Sequence, residues 1–434
     1  MKRTFLILGA LLAALFANAQ QKWTLQQCVD TALANNRNIK QRELVRKNNE
    51  IAYNQARLNL LPDFNASASH GLSWGRALDD NNTYTNSSSL IQSSNFGIGS
   101  SIVLFDGLKM KYNIDARMSD LKNSQAELDK IKHDIILNVS TVFLQVLLNK
   151  ELLIVAENQL ELTKNKIEQQ LKLVETGKLA EGEMYELYAQ QSKEELNRIQ
   201  ADNTLRLSLL DLAQIIELKD FENIDVTIPE DLFNTGLQLL DVNTVYQSAL
   251  TNRPEVKSAE YQLESKEKNV QIAKSSYFPT LSFNASLGSG YYNQRGIPVP
   301  SFNQQISDKI SAGIGFSLQI PIFNKMAVRN QVASSKLDVE SSKINLENTK
   351  IDLQKTVQQA YYNAIAAKSK WDSAIKSENA SREAFRFVNQ KYENGRATVY
   401  ELYQAKNNLS QAESEVIQSK YEYIFRLKIL ELLM

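Results

Sequence analysis

The chain has 434 residues with 49 basic and 49 acidic, so its balanced charge offers no footing for nucleic acid. One cysteine, Cys28, excludes a disulfide framework and a cysteine-based metal cluster, and the two histidines, His70 and His133, stand far apart without ligand-like neighbours. No nucleophile–base pair, metal cluster or pocket motif points to an enzyme or to a cofactor.

Residues 1–19 read as an export signal. Lys2 and Arg3 form a charged start, Thr4 to Phe16 is an apolar run, and Ala17-Asn18-Ala19 is an A-x-A cleavage site. The run is too short for a membrane helix, so the mature chain is expected to begin at Gln20. Cys28 lacks the small-residue context of a lipid-attachment site and reads as a small buried hydrophobe. Apolar residues three and four apart then predict a helix over roughly 25–61.

At Leu61-Pro62 the rhythm changes to every second residue. Phe64, Ala66, Ala68, His70, Leu72 and Trp74 alternate with Asn65, Ser67, Ser69, Gly71 and Ser73, which predicts a strand at about 63–74. A second strand at about 95–105 alternates Phe96, Ile98, Ser100, Ile102 and Leu104 with small and polar residues. Residues 108–175 contain neither proline nor glycine, enough for about 100 Å of helix. Along them Val139, Val146, Leu153, Leu160, Ile167 and Val174 recur every seven, with Ile135 and Val142 completing a coiled-coil seam. A turn at Gly177, a helix over 181–217 and a linker over 218–241 follow.

The whole order is then written again. ALANNRNIK at 32–40 returns as ALTNRPEVK at 249–257, Leu61-Pro62 as Phe278-Pro279, and FNAS at 64–67 as FNAS at 283–286. GIG at 97–99 returns at 313–315, Leu104-Phe105-Asp106 as Ile322-Phe323-Asn324, and Gly177 and Glu183 as Gly395 and Glu401. The chain is a tandem duplication, with a first repeat over 20–217 and a second over 242–434. The second repeat is predicted to hold a helix over 242–278, strands at about 280–292 and 309–321, a long helix over 325–393, a turn, and a helix over 398–434. On that long helix Val332, Val339, Leu346, Leu353, Ala360 and Ala367 form one row. Leu337, Ile344, Ile351 and Ile365 form another about 200° away. A helix with seams on nearly opposite flanks has a neighbour on each side, as in a wall of helices.

Each strand is about eleven residues, the length a tilted strand needs to cross a bilayer. One face is apolar and the other small and polar, as lipid outside and water inside require, and Trp74, Phe96, Tyr291 and Tyr292 suit interfacial girdles. The competing reading is one half-buried sheet of a soluble protein. Against it stand the export signal, the long polar loops, and polar faces with no second sheet to pack on. Four strands cannot close a barrel, and an open edge is not tolerated in lipid, so the barrel must be shared between chains, as in a dimer or trimer. The G-x-G pairs lie inside strands and imply no phosphate loop.

The chain resembles the TolC family of outer-membrane efflux channels over 22–434. The resemblance rests on the duplicated ALxNxxxxK opening, the junctions at Pro62 and Pro279, and the LFDG and IFN junctions carrying Asp106 and Asn324. Its strongest part is KYENGRATVYELYQAKNNL at 391–409, where Tyr392, Gly395, Thr398, Glu401, Leu402 and Ala405 fit the family's Y-x-x-G-x-x-T-x-x-[DE]-[VL]-L-x-A run. Gly177, Ala180, Glu183 and Met184 form a weaker copy. The resemblance implies a mainly α fold with a membrane β part: a homotrimer with a twelve-stranded barrel in the outer-membrane lipid of a Gram-negative-type cell and a twelve-helix periplasmic tunnel. It implies a passive exit duct reached through a periplasmic adaptor (a membrane fusion protein) from an inner-membrane pump.

By the same resemblance, Gly177, Ala180, Gly395 and Thr398 mark tip turns where the tunnel closes and the adaptor docks. Glu183, Tyr392 and Glu401 would constrict the entrance. Gln404 stands where some members carry a second acid and Ala397 where some carry a gating Arg. Arg396, one residue earlier, is a candidate substitute, and a different gate network is equally open. Three copies of Glu401 on a narrow axis would favour cations and raise one another's pKa values; the plainer reading makes Glu183 and Glu401 ordinary solvated residues. An exported coiled-coil tether without a conducting path is the alternative function. It has no use for two-sided seams or water-facing strands.

Overall fold

A computed structural model describes residues 21–75, 89–176, 181–218, 224–227, 241–295 and 297–434. The expected export signal, and Gly177 and Ala180, lie outside them. Among the described residues, strand β1 (Gln21–Trp23) leads into helices α1 (Leu25–Asn35) and α2 (Arg37–Leu58), then strands β2 (Asp63–Gly75) and β3 (Ser89–Phe105). Helices α3 (Lys109–Glu175) and α4 (Gly182–Ile215) and strand β4 (Ile224–Val226) complete the first half. The second half runs α5 (Val242–Asn252), α6 (Pro254–Ser275), β5 (Thr280–Gln294), α7 (Phe302–Asp308), β6 (Ser311–Gln319), α8 (Ala327–Glu393) and α9 (Val399–Leu433).

The two halves of the chain carry elements of matching length. α1 and α5 are both 11 residues, α2 and α6 both 22, α3 and α8 both 67. The opening helix of each half is not continuous as the spacing predicts, because it breaks in two at equivalent positions. Asn36 turns extended, and its Oδ1 accepts from the Asn38 and Ile39 N–H groups at 2.9 and 3.3 Å, capping α2. Arg253 turns extended because a residue before proline is forced out of the helical region, and Pro254 then opens α6 as a first-turn proline. Apolar periodicity runs through both breaks and hides them.

One compact unit comprises Val45–Gln125 and Ser258–Glu347. Its sheet is antiparallel throughout in the order β2-β3-β5-β6, leaving β2 and β6 as edges. The register aligns Phe64, Ala66, Ala68, Leu72 and Trp74 with Phe96, Ile98 and Ile102, with Phe283, Leu287 and Tyr291, and with Ala312, Ile314, Phe316 and Leu318 on one face. Asn65, Ser67, Gly97, Gly99, Asn284, Ser286, Gly313 and Gly315 share the other. Two girdle assignments change. Tyr292 points to the polar face, opposite its neighbour Tyr291, since adjacent strand residues alternate. Phe96 lies inside β3, because pairing begins at Ser89 rather than near Asn95.

Pro62 and Pro279 each stand immediately before a strand, where a missing N–H is harmless. After the strands the chain turns into the long helices through paired left-handed residues, Gly107 and Leu108 (φ 69° and 68°) and their counterparts Lys325 and Met326 (53° and 63°). Asp106 caps α3 through Oδ2, 2.9 Å from the Met110 N–H. Asn324 instead uses its carbonyl, which accepts from the Ala327 N–H at 3.0 Å.

The other unit comprises residues to Leu44, Ala126–Lys257 and Asn348–Met434. Its core gathers Cys28 and Ala32 of α1, Val139, Phe143, Val146 and Leu147 of α3, Leu212 of α4 and its C-cap Ile216, Val226 of β4 and Tyr421 of α9. Burial pushes the Cys28 thiol up to about 12, an inert small hydrophobe as the sequence implies. β1 pairs in parallel with β4, and Lys150 Nζ ties β4 to α3 through Asp225 Oδ1 at 2.6 Å.

The heptad rows divide sharply by exposure. Along α3, Val139, Val146 and Leu160 are buried, as are Leu353, Ala360 and Ala367 of α8. The second row of α8 is bare: Leu337, Ile344 and Ile351 are 71%, 58% and 61% exposed. A seven-residue row on α2 is equally bare, with Leu44, Ile51 and Leu58 at 65%, 67% and 54%.

Candidate functional site

The α8–α9 turn is set by its sequence. Gly395 adopts φ 69°, its N–H donates to the Tyr392 carbonyl (2.9 Å), and the Arg396 N–H donates to that of Lys391 (2.8 Å). These two bonds close a Schellman motif, which wants glycine at its left-handed position. Thr398 then caps α9. Its hydroxyl accepts from the Glu401 N–H at 3.2 Å, while the Glu401 carboxylate accepts from the Thr398 N–H (2.8 Å) and hydroxyl (3.1 Å). The T-x-x-E spacing is therefore a capping box, a signal the sequence carried in plain view.

Those bonds from Thr398 hold the Glu401 carboxyl below its ordinary value, with Lys391 adding slightly. A depressed carboxyl contributes stability that is present above the ordinary value of 4.5 and fades as the pH falls through the lowered one. Within one chain Glu401 thus has a capping role, and crowding by like charges plays no part. Replacing Thr398 by Ala is expected to cost about 1 kcal/mol and fray the first turn of α9. Hydrogen exchange would show faster loss of protection at Val399–Glu401 with the middle of α9 unchanged.

The two halves meet beside this turn. Met184 and Leu187 of α4 pack on Val399 and Tyr403 of α9, with Ile167 and Val174 of α3 and Tyr392 of α8 around them. Burial raises the Tyr392 phenol, and the Glu183 carboxylate beside it adds to the rise. Lys166 Nζ lies 5.3 Å from the Tyr392 ring centre. The Glu183 carboxylate thus lies within electrostatic reach of the Tyr392 phenol; Arg396 and Gln404 are exposed, and Gln404 donates to Asn408 at 3.4 Å.

Several polar residues of these helices are buried, among them Gln159, Gln170, Glu194 and Lys406. Lys406 is buried, and its Nζ donates to Glu194 Oε1 (2.9 Å), to the Gln159 carbonyl (3.0 Å) and to Thr163 Oγ1 (2.5 Å). Burial lowers the Lys406 ammonium's pKa, opposed by the bond and charge of Glu194. Gln190 donates to the same Glu194 oxygen at 2.9 Å, while Glu194 Oε2 and the Tyr403 hydroxyl are buried without partners among the described residues. Lys406 occupies an apolar row, Val399, Leu402, Lys406, Leu409, and Glu194 stands seven residues after Leu187. A charge inside a seam was the available signal. A cavity of about 270 Å³ opens beside the pair, walled by Leu162, Phe385, Asn389, Leu402 and Tyr403.

Each half of the chain thus supplies two long helices flanking a turn and two strands of the one four-stranded sheet. Residues 28–216 and 245–434, one stretch in each half, match the family described as outer membrane efflux protein. The chain belongs to that family, and is an outer-membrane protein. Toxin and drug export protein A of Aggregatibacter actinomycetemcomitans is 22% identical to it over 92% of this chain and 83% of that one. Outer membrane protein TolC of Escherichia coli is 22% identical over 98% of this chain and 84% of its own. Among solved structures, the CmeC outer membrane channel of Campylobacter jejuni has a TM-score of 0.78 at 19% identity, over 94% of this chain and 85% of that one.

Proposed function

We propose that three copies close into one duct through the outer membrane, which an inner-membrane pump feeds through a periplasmic adaptor. One observation carries the closure. The bare rows on α2 and α8 sit on the helices joined to the sheet's two unpaired edges, α2 leading into β2 and α8 following β6. A rotational arrangement mates β2 with β6 and the α2 row with the α8 row in every copy, leaving no edge open. The apolar face of the sheet then meets lipid and the polar face water.

In this reading Glu183, Tyr392, Arg396, Glu401 and Gln404 surround the periplasmic entrance. The turns at Gly177, Ala180, Gly395 and Thr398 receive the adaptor, and the cavity beside Lys406 accepts one of its apolar side chains. The repeats 20–217 and 242–434, the linker 218–241 and a leader over 1–19 are part of the same proposal. The duct has no catalytic step. Export of toxins and drugs, as named for one relative, is in keeping with it.

The test is reconstitution of the detergent-purified protein into a planar bilayer, after native mass measurement. The expected result is a threefold mass and a cation-selective conductance that Glu401→Gln weakens, since glutamine keeps the capping box and removes the charge. Crosslinked capture from the envelope should recover an adaptor and a pump. A monomer of normal secondary structure, or a folded oligomer that passes no current and captures only structural envelope proteins, would leave the tether.

A further inference from the structure

β5 outlasts its edge neighbour. The last β5–β6 pair is Gly288 with Ser311, yet β5 stays paired to β3 as far as Gln294 with Ile91. Helix α7 takes the vacated edge. The side-chain amide of buried Gln305 accepts from the Tyr292 N–H at 3.1 Å and donates to the Tyr292 carbonyl at 2.9 Å, the two bonds a neighbouring strand residue would make. Its amide also donates to the Pro300 carbonyl, and Lys309 Nζ donates to its oxygen at 2.6 Å. Ser289 Oγ donates to the Ile306 carbonyl at 2.6 Å. The Phe302 ring packs on Phe96 and Tyr291, 6.3 and 5.2 Å between centres, both on the apolar face. The helix therefore stands in line with β6 and leans over the apolar side.

The opposite edge strand is longer than β6 can match. β2 has 13 residues and β6 only 9. Both are anchored at their helix ends, by Pro62 before β2 and Pro321 after β6. The shortfall therefore falls at the loop end, where α7 sits. We propose that α7 is a strand surrogate: it fills the outer end of the seam between copies, packing against residues 69–75 of β2 in the next protomer. The occupant is thus a second copy of this chain, and Phe302, 46% exposed, seals the seam on its lipid side. This rests on the β2–β6 closure proposed above, so the test reads the two separately.

Cysteine pairs are introduced into a Cys28→Ala background and oxidised in native outer membranes. Ser317→Cys paired with Asn65→Cys or Ser67→Cys reports the strand seam. Ser307→Cys paired with Ser69→Cys, Gly71→Cys or Ser73→Cys reports α7. Dimer and trimer bands from both sets are the expected result. Bands from the seam set with none from any α7 pair would overturn the surrogate and leave the closed barrel standing. Absence of bands from both sets, in protein that reaches the outer membrane, would overturn the closure and the surrogate with it.

Discussion

Replacing Lys406 by Met is expected to destabilise the protein by about 3–5 kcal/mol, because it strands the Glu194 carboxylate in the interior without its cation. Little screening reduces this figure, since the two side chains are only 9% and 7% exposed. Lys406 also reaches the Gln159 carbonyl and Thr163, so one amine joins α9 to α3 and α4. The double variant Lys406→Met, Glu194→Leu removes both charges and is expected to return to wild-type stability or exceed it. Urea unfolding followed by circular dichroism in detergent measures both. Equal losses for the single and double variants would show the pair to be mere packing. The same double variant is expected to lose register between the hairpins, visible as faster proteolysis at the α8–α9 turn, since a paired charge in a seam disfavours helix slippage.

The second large effect is expected at Gly107. A Cβ there would lie 2.7 Å from Phe278 Cβ and 2.8 Å from the Ser275 carbonyl, atoms fixed to the backbone that cannot swing aside. The left-handed backbone itself disfavours alanine by about 1–2 kcal/mol. Overpacking adds about 1–3 kcal/mol. Gly107→Ala should therefore cost about 2–5 kcal/mol. Gly395 separates the two contributions, having the same φ of 69° with nothing within 4 Å of its Cβ position. Gly395→Ala should cost only the backbone share, about 1–2 kcal/mol. Thermal unfolding of the two variants side by side decides it, and equal losses would remove the Phe278 contact from the account. Lys325, the counterpart of Gly107 by duplication, holds φ 53° with a side chain. Lys325→Gly should accordingly be stabilising by up to about 1 kcal/mol.

The amino-acid sequence by itself determined the repeat, the long helices and the strand faces. Periodicity is a local property: seven-residue rows on α3 and α8 and two-residue alternation on the strands follow from helix and strand geometry alone. The Gly395 turn and the Thr398 cap are similarly local, since both satisfy the orphaned groups of a helix end with residues a few positions away. The breaks at Asn36 and Arg253 were written in Asn and Pro yet masked by an apolar rhythm that crosses them.

Tertiary structure decided the rest, because it depends on partners distant in the chain. Lys406 and Glu194 look like solvent-facing residues until α3 and α4 close over them. Gln305 is an unremarkable loop amide until β6 stops short of Tyr292 and leaves an edge to be satisfied. Gly107 is forced by the turn over Ser275–Phe278, which lies in the other half of the chain. A sequence writes which face of each element is apolar. Only the packed chain shows which of those faces are filled from within and which, on α2 and α8, remain bare.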